Sequence, residues 1–234
     1  MSQEGQHSEF RFERKFLTDQ LSFLAIEQLV RMNPACFRDI FQVRKVNNIY
    51  FDTPALNFFS DNIAGKSDRQ KVRIRWYGDG INKITNPVLE FKIKAGLVGR
   101  KSSYLLPDFI LPHIIPNRFF NDLFRRSDLP GHVLEILFKL EPVLLNYYER
   151  KYYMSFDGDF RFTLDSEMNF FDFKSLQRGL KHSFPDRYNR VLELKYDQKL
   201  DKKASLIVNH LPIRITKSSK YVTGVYRFRT DLTV

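Results

Sequence analysis

The chain has 234 residues, of which 43% are hydrophobic, and carries a formal net charge of +11. That is enough apolar material for a real core, and the excess of Lys and Arg favours an anionic partner: nucleic acid, phosphorylated small molecules or an acidic membrane surface. The single cysteine, Cys36, excludes an intramolecular disulfide and a multi-cysteine zinc site, and no stretch approaches the ~20 apolar residues of a membrane helix.

In chain order, residues 1–9 read as a disordered start without the apolar core of a signal peptide, which with the lone cysteine points to a cytoplasmic protein. Residues 10–16 alternate aromatic and charged side chains, a strand with Arg11, Glu13 and Lys15 on one face. Thr18 or Asp19 caps a helix to about Arg31, with Leu21, Leu24, Ala25, Gln28 and Leu29 at helical spacing. Cys36 reads as a small core residue. Strands follow at 46–51, 71–77, 87–94 and 102–106, with a short helix opening at Asp52-Thr53-Pro54 between the first two. Residues 107–139 read as two or three helices packed outside the sheet. Strands return at 143–156, 160–165 and 191–197, then helices at 201–209 and after Ser218. The expected architecture is α+β: an eight-stranded antiparallel barrel with helices outside, in one domain spanning 10–234.

The strands carry a consistent two-sided pattern. In Lys71–Tyr77 the cations Lys71, Arg73 and Arg75 share one face, and Val72, Ile74 and Trp76 the other. Basic residues recur this way at Lys15, Lys92, Lys94, Arg150, Arg161 and Lys195, opposite strongly apolar faces. Glu13, Glu90 and Glu193 each sit two residues before a Lys on the same face. An ordinary wet sheet face accounts for any one such strand; the whole set fits a cationic bore with internal counter-charge, made for a polyanion. Nucleic-acid binding is disfavoured by the interleaved carboxylates, which repel a phosphodiester backbone. The stretch Gly96–Ser102 is not a phosphate-binding P-loop, having too short a spacing between its glycines and Arg before its Lys.

These residues resemble the triphosphate tunnel metalloenzymes, and within them the VTC-type polyphosphate polymerase domain. The resemblance rests on Phe12-Glu13-Arg14-Lys15, Ile49–Asp52, Val72–Tyr77, Glu90-Phe91-Lys92, Gly99–Ser102, Tyr147–Arg150, Arg161–Asp165, Leu192–Lys195 and Lys217–Tyr221, which occur in the family's order. It implies an enzyme that transfers the γ-phosphate of ATP onto a growing polyphosphate chain in a tunnel, with a divalent metal, Mn²⁺ or Mg²⁺. By position, Lys15, Tyr50, Arg73, Arg75, Lys92, Lys101, Arg150, Arg161 and Lys195 would grip phosphate. Arg73, Arg75, Arg150 and Arg161 would stabilise developing charge, and Glu193 would hold the metal. Ser219, with Lys217 or Lys220, would close one end. The superfamily's Glu-x-Glu-x-Lys first strand is not met, since position 11 is Arg, which fits the polymerase branch better than a metal-rich triphosphatase. A tunnel that only binds polyphosphate or another phospho-ligand, or one that hydrolyses tripolyphosphate or a nucleoside triphosphate, stays open as an alternative. ATP and inorganic polyphosphate are the expected partners, with room for a separate membrane protein.

Overall fold

The computed structural model describes residues 11–95, 98–179 and 182–229; the start expected to be disordered lies outside them. Eight strands form one antiparallel path: β1 (Arg11–Thr18), β2 (Arg38–Asp52), β3 (Arg69–Tyr77), β5 (Val88–Ala95), β6 (Val98–Leu105), β8 (Glu141–Met154), β9 (Phe160–Asp172) and β11 (Arg190–Asp197). Their spatial order is β1-β11-β9-β8-β2-β3-β5-β6, with β10 (Ser183–Asp186) added beside β9; β4 (Lys83–Ile84) and β7 (Phe109–Ile110) pair separately. The helices are α1 (Phe23–Arg31), α2 (Asn57–Ile63), α3 (Phe119–Arg125), α4 (Gly131–Leu137), α5 (Phe173–Gln177), α6 (Asp201–Asn209) and α7 (Lys220–Phe228).

The period of two sorts the side chains by face, and the outer face is apolar. Ile49, Phe51, Val72, Ile74, Trp76, Leu89 and Phe91 pack under Phe120, Leu123, Phe124, Val133 and Leu137 of α3 and α4. On the other side of the barrel Phe16, Phe162, Leu164, Leu192 and Leu194 pack with Ile26 and Val30 of α1 and Ala204 and Ile207 of α6. Such burial, on the order of 2 kcal/mol for each large apolar side chain, holds the charged face inward because a one-residue slip would turn every side chain of the slipped strand to the wrong face.

A third cluster lies on the inner face. Tyr50, Leu144, Tyr148, Met168, Phe170 and Val191 pack with Tyr221 and Val225, so α7 sits on the inner face of the curved sheet, and α2 joins the same cluster through Phe59. A β-bulge makes part of this bed. Tyr147 pairs with Asn169 and Glu149 with Ser166, and the surplus Glu167 adopts φ 47°. Asp165 therefore faces in, and so do Met168 and Phe170 beyond it.

The strand path is an eight-stranded antiparallel tunnel wall, but its backbone ladder does not run from β6 to β1. Near that gap Lys92 of β5 lies 3.4 Å from Glu13 of β1. The outer edge of β1 is paired instead by the segment leading to α7, where Thr216 donates its backbone N–H to the Lys15 carbonyl.

Several local expectations change. Helix α1 begins after Ser22, whose hydroxyl caps it, and it buries Ile26 and Val30 while Leu24 is 69% exposed. The tight β2–β8 pairing extends β2 back to Arg38. Cys36 is exposed with φ 51°, because the turn joining α1 to β2 leaves it outside the core. Pro54 precedes α2 by a turn, and the orphan N–H groups of Phe58 and Phe59 are taken by the buried carboxylate of Asp52 at 2.9 Å each. Among the described residues no helix is long and apolar enough to cross a membrane.

Candidate functional site

The inner face gathers side chains from every strand of the path. Strand β1 supplies Glu13 and Lys15, opposite Lys195 and Glu193 of β11. Glu193 in turn faces Thr163, and Lys195 faces Arg161, on β9. Arg150 of β8 lies across from Asp165, Tyr50 of β2 from Arg73 of β3, Arg73 from Glu90 of β5, and Lys92 from Lys101 of β6.

These groups form three linked charge clusters. Arg73 binds Glu90 through Nε at 2.7 Å and Nη2 at 2.6 Å, and donates to the Tyr50 hydroxyl at 3.3 Å; Lys101 reaches the other Glu90 oxygen at 2.6 Å. Arg150 forks onto Asp165 at 2.6 and 2.7 Å, and Lys220 joins that carboxylate at 2.5 Å. Glu193 lies 3.2 Å from both Lys15 and Lys195 and 3.8 Å from Arg150, while Lys15 also meets Glu13 at 3.1 Å. Arg75 bonds Asn48 at 2.9 Å and the Tyr148 hydroxyl at 3.1 Å.

The start of α7 enters this ring. Lys71 donates to the Ser219 hydroxyl at 2.9 Å, and the same hydroxyl caps α7 by accepting from the Val222 N–H. Tyr221 anchors the segment: its ring stacks on Tyr50 at 5.2 Å and its hydroxyl bonds the buried Asp52. The same Asp52 therefore fixes both α2 and α7.

The electrostatics show where counter-charge runs short. Burial would raise Glu90, Asp165 and Glu193, yet the cations around each outweigh it and hold all three below the usual carboxylate range. Burial would lower Lys15, but Glu193 and Glu13 prevail and raise it. Lys71 has no such carboxylate partner among the described residues. Burial, then Lys15, Lys92 and Arg73, push it down to about 7. Burial also leaves Lys195 lowered, in spite of Glu193. Two buried polar groups of this face lack a partner among the described residues: the Asn146 amide Nδ2 and the Thr163 hydroxyl. A buried polar group without a partner is costly.

Of the residues expected from sequence, Lys15, Tyr50, Arg73, Arg75, Lys92, Lys101, Arg150, Glu193, Lys195, Ser219 and Lys220 come together. Arg161 shares the inner face of β9, one step beyond Thr163, at the register of Lys195. Lys217 is exposed on the approach to α7, and Lys220 is the lysine that reaches inward. Alternation puts Lys71 on the correct face, but the resemblance does not single it out. Asp165, Asn48, Asn146 and Tyr148 are legible by the same count of two, yet uncharged or acidic residues do not advertise a phosphate site.

Among the described residues no three His, Cys, Asp or Glu side chains are placed to hold a metal ion. A hard divalent cation needs only one or two carboxylates when phosphate oxygens complete its sphere. Glu193, whose carboxylate shares the Lys15 ammonium with Glu13, fits that mode: a positive charge already bridges two carboxylates there.

The VTC domain family model matches residues 10–229. No curated protein matches the chain in sequence. Among solved structures, a candidate adenylate cyclase of Vibrio parahaemolyticus is similar, at 13% identity with a TM-score of 0.52, over 93% of this chain and 99% of its own. A candidate adenylate cyclase of Bacillus halodurans matches at 14% identity and a TM-score of 0.49, over 92% of this chain and 96% of its own. The first similarity carries the fold alone.

Proposed function

This chain belongs to the VTC domain family, and on that footing we propose that it is a polyphosphate polymerase, moving the γ-phosphoryl group of ATP onto a polyphosphate end inside the channel. The observation that carries the reading is an inward-facing lining in which cations outnumber carboxylates, so that Lys71 and Lys195 hold their charge at a disadvantage. A chain of phosphates supplies the missing negative charge along the whole bore.

Phosphoryl transfer asks mainly for positioning and charge neutralisation. Arg150 and Arg73 are held rigid by Asp165 and Glu90, which presents their remaining N–H groups in fixed directions to phosphate oxygens. Lys15, Arg75, Arg161, Lys195 and Lys220 extend that grip, Lys92 and Lys101 serve the rim, and Ser219 marks the end closed by α7. The terminal oxygen of the acceptor chain bonds to the γ-phosphorus as the bond to the β-phosphate oxygen breaks, and ADP leaves. That acceptor is already ionised at neutral pH, so no general base is required. A divalent cation, Mn²⁺ or Mg²⁺, held by Glu193 and phosphate oxygens, would neutralise and orient the triphosphate.

Incubation with ATP and Mn²⁺ followed by a polyphosphate-stained gel tests this. Long chains are expected from the native protein, and Glu193→Gln is expected to cut their formation about a hundredfold or more, as loss of a charge-organising group does. Full activity in that variant would remove Glu193 from its role. A binding-only tunnel is the second reading, favoured by the lysines on both sides of Glu193; it gives tight polyphosphate binding and no product. Free phosphate without chains would instead mark hydrolysis, with water as acceptor.

A further inference from the structure

The row of inward side chains does not stop at the phosphate lining. On β3 the series Lys71, Arg73, Arg75 continues to Tyr77, which is 47% exposed. On β8 the residue two beyond Arg150 is Tyr152, about 7 Å further along the strand. Across from these, β2 places Arg44 opposite Arg150 and Phe41 opposite Tyr152. On β2, β3 and β8 charge gives way to rings within one step of the strand, while on β9 the face across from Tyr152 continues with Thr163.

Arg44, Phe41 and Tyr152 touch one another, and Tyr77 adjoins Tyr152. The Arg44 guanidinium lies 4.0 Å over the Phe41 ring and 5.8 Å from the Tyr152 ring. Phe41 meets Tyr152 edge-on at 5.5 Å, and Tyr152, itself buried, has the Tyr77 hydroxyl as a neighbour. Arg150, the deepest cation of the lining, is 5.9 Å from the Tyr152 ring. Two register shifts in β2, between Asp39 and Phe41 and between Phe41 and Arg44, set this group against the end of β8; bulges commonly re-aim side chains beside a site. Phe41 nevertheless stays 44% exposed.

We propose that this mouth is a nucleobase platform: Phe41 and Tyr77 offer ring faces to the base of a nucleoside triphosphate, while Arg44 and Tyr152 hold those rings in place. Base-on-ring stacking tolerates any base, because every base has a π-face, and an arginine stacked on the ring reinforces it. The ribose spans the step from Tyr152 to Arg150, and the phosphates run inward. This rests on the triphosphate reading of the channel and adds to it a reason for preferring a nucleotide over a bare phosphate chain as donor.

Calorimetric titration with two probes tests it: the β,γ-imido analogue of ATP and inorganic tripolyphosphate. Phe41→Ala and Tyr77→Ala, both at exposed rings, are expected to weaken the nucleotide analogue about tenfold, within the range for one stacked base, with tripolyphosphate unchanged within twofold. Tyr77→Phe, which keeps the ring, is expected to restore nucleotide binding. Native protein that binds both probes equally, or variants that weaken both alike, would overturn the platform and leave the channel standing. Binding of tripolyphosphate alone likewise overturns the platform and spares the channel. Binding of neither probe overturns channel and platform together.

Discussion

Lys71 shows how a single side chain records an unmet need. Its ammonium is part-buried near Lys15, Lys92 and Arg73, with the Ser219 hydroxyl in contact. Between pH about 7 and the ordinary lysine value, the folded protein leaves Lys71 neutral while the unfolded chain keeps it protonated, so stability rises with pH across that window. A bound polyanion reverses the preference and draws a proton onto Lys71. Tripolyphosphate affinity therefore weakens as pH climbs above about 7. Titrations at pH 8 in buffers of different ionisation enthalpy should register proton uptake, and Lys71→Met should reduce that uptake by close to one proton; an unchanged uptake would remove Lys71 from the bore. Counting in twos along the sequence places Lys71 on the right face, but its lack of a carboxylate neighbour depends on which strands lie beside β3, and that is long-range information.

At the level of elements, the alternating strands are readable because each has one fully buried side. Less readable is α7. Its sequence has the same amphipathic look as a helix on the outside, and nothing local says that it docks within the curve of the sheet. The deciding residue is Gly224: a Cβ there would lie 2.5 Å from Leu144 Cδ2 and 2.7 Å from Phe170 Cδ1. Gly224→Ala should lower stability by about 1–3 kcal/mol through overpacking, although alanine's better helix propensity works the other way by about 1 kcal/mol. The same change should also weaken polyphosphate binding, because Ser219 and Lys220 ride on this helix. A denaturation midpoint equal to or above that of the native protein would mean that α7 is not seated on Leu144 and Phe170. The extension of β2 is hidden for a different reason: residues 38–45 are mostly exposed, so they lack the apolar rhythm by which a strand announces itself.

For the molecule as a whole, the net charge of +11 opposes compaction, and the bore concentrates that opposition. Salt should raise the melting temperature, and polyphosphate should raise it further at equal ionic strength. At a ligand concentration a hundred times the dissociation constant the gain is about 2.7 kcal/mol, or roughly 5–10 °C for a chain of this size. A melting curve indifferent to polyphosphate, at matched ionic strength, would count against an anion-filled channel. The general plan of a basic interior can be inferred from periodicity, whereas the approach of β5 to β1 cannot, since the Lys92–Glu13 contact links strands far apart along the path. The left-handed residue at Glu167 has a consequence for tolerance to change. Because β9 absorbs Glu167 as surplus, removing that residue would leave every neighbour on its own side, while a valine there, which resists positive φ, would press the strand toward strict alternation and turn Phe170 out. At this one position shortening the chain is gentler than a single substitution that keeps its length.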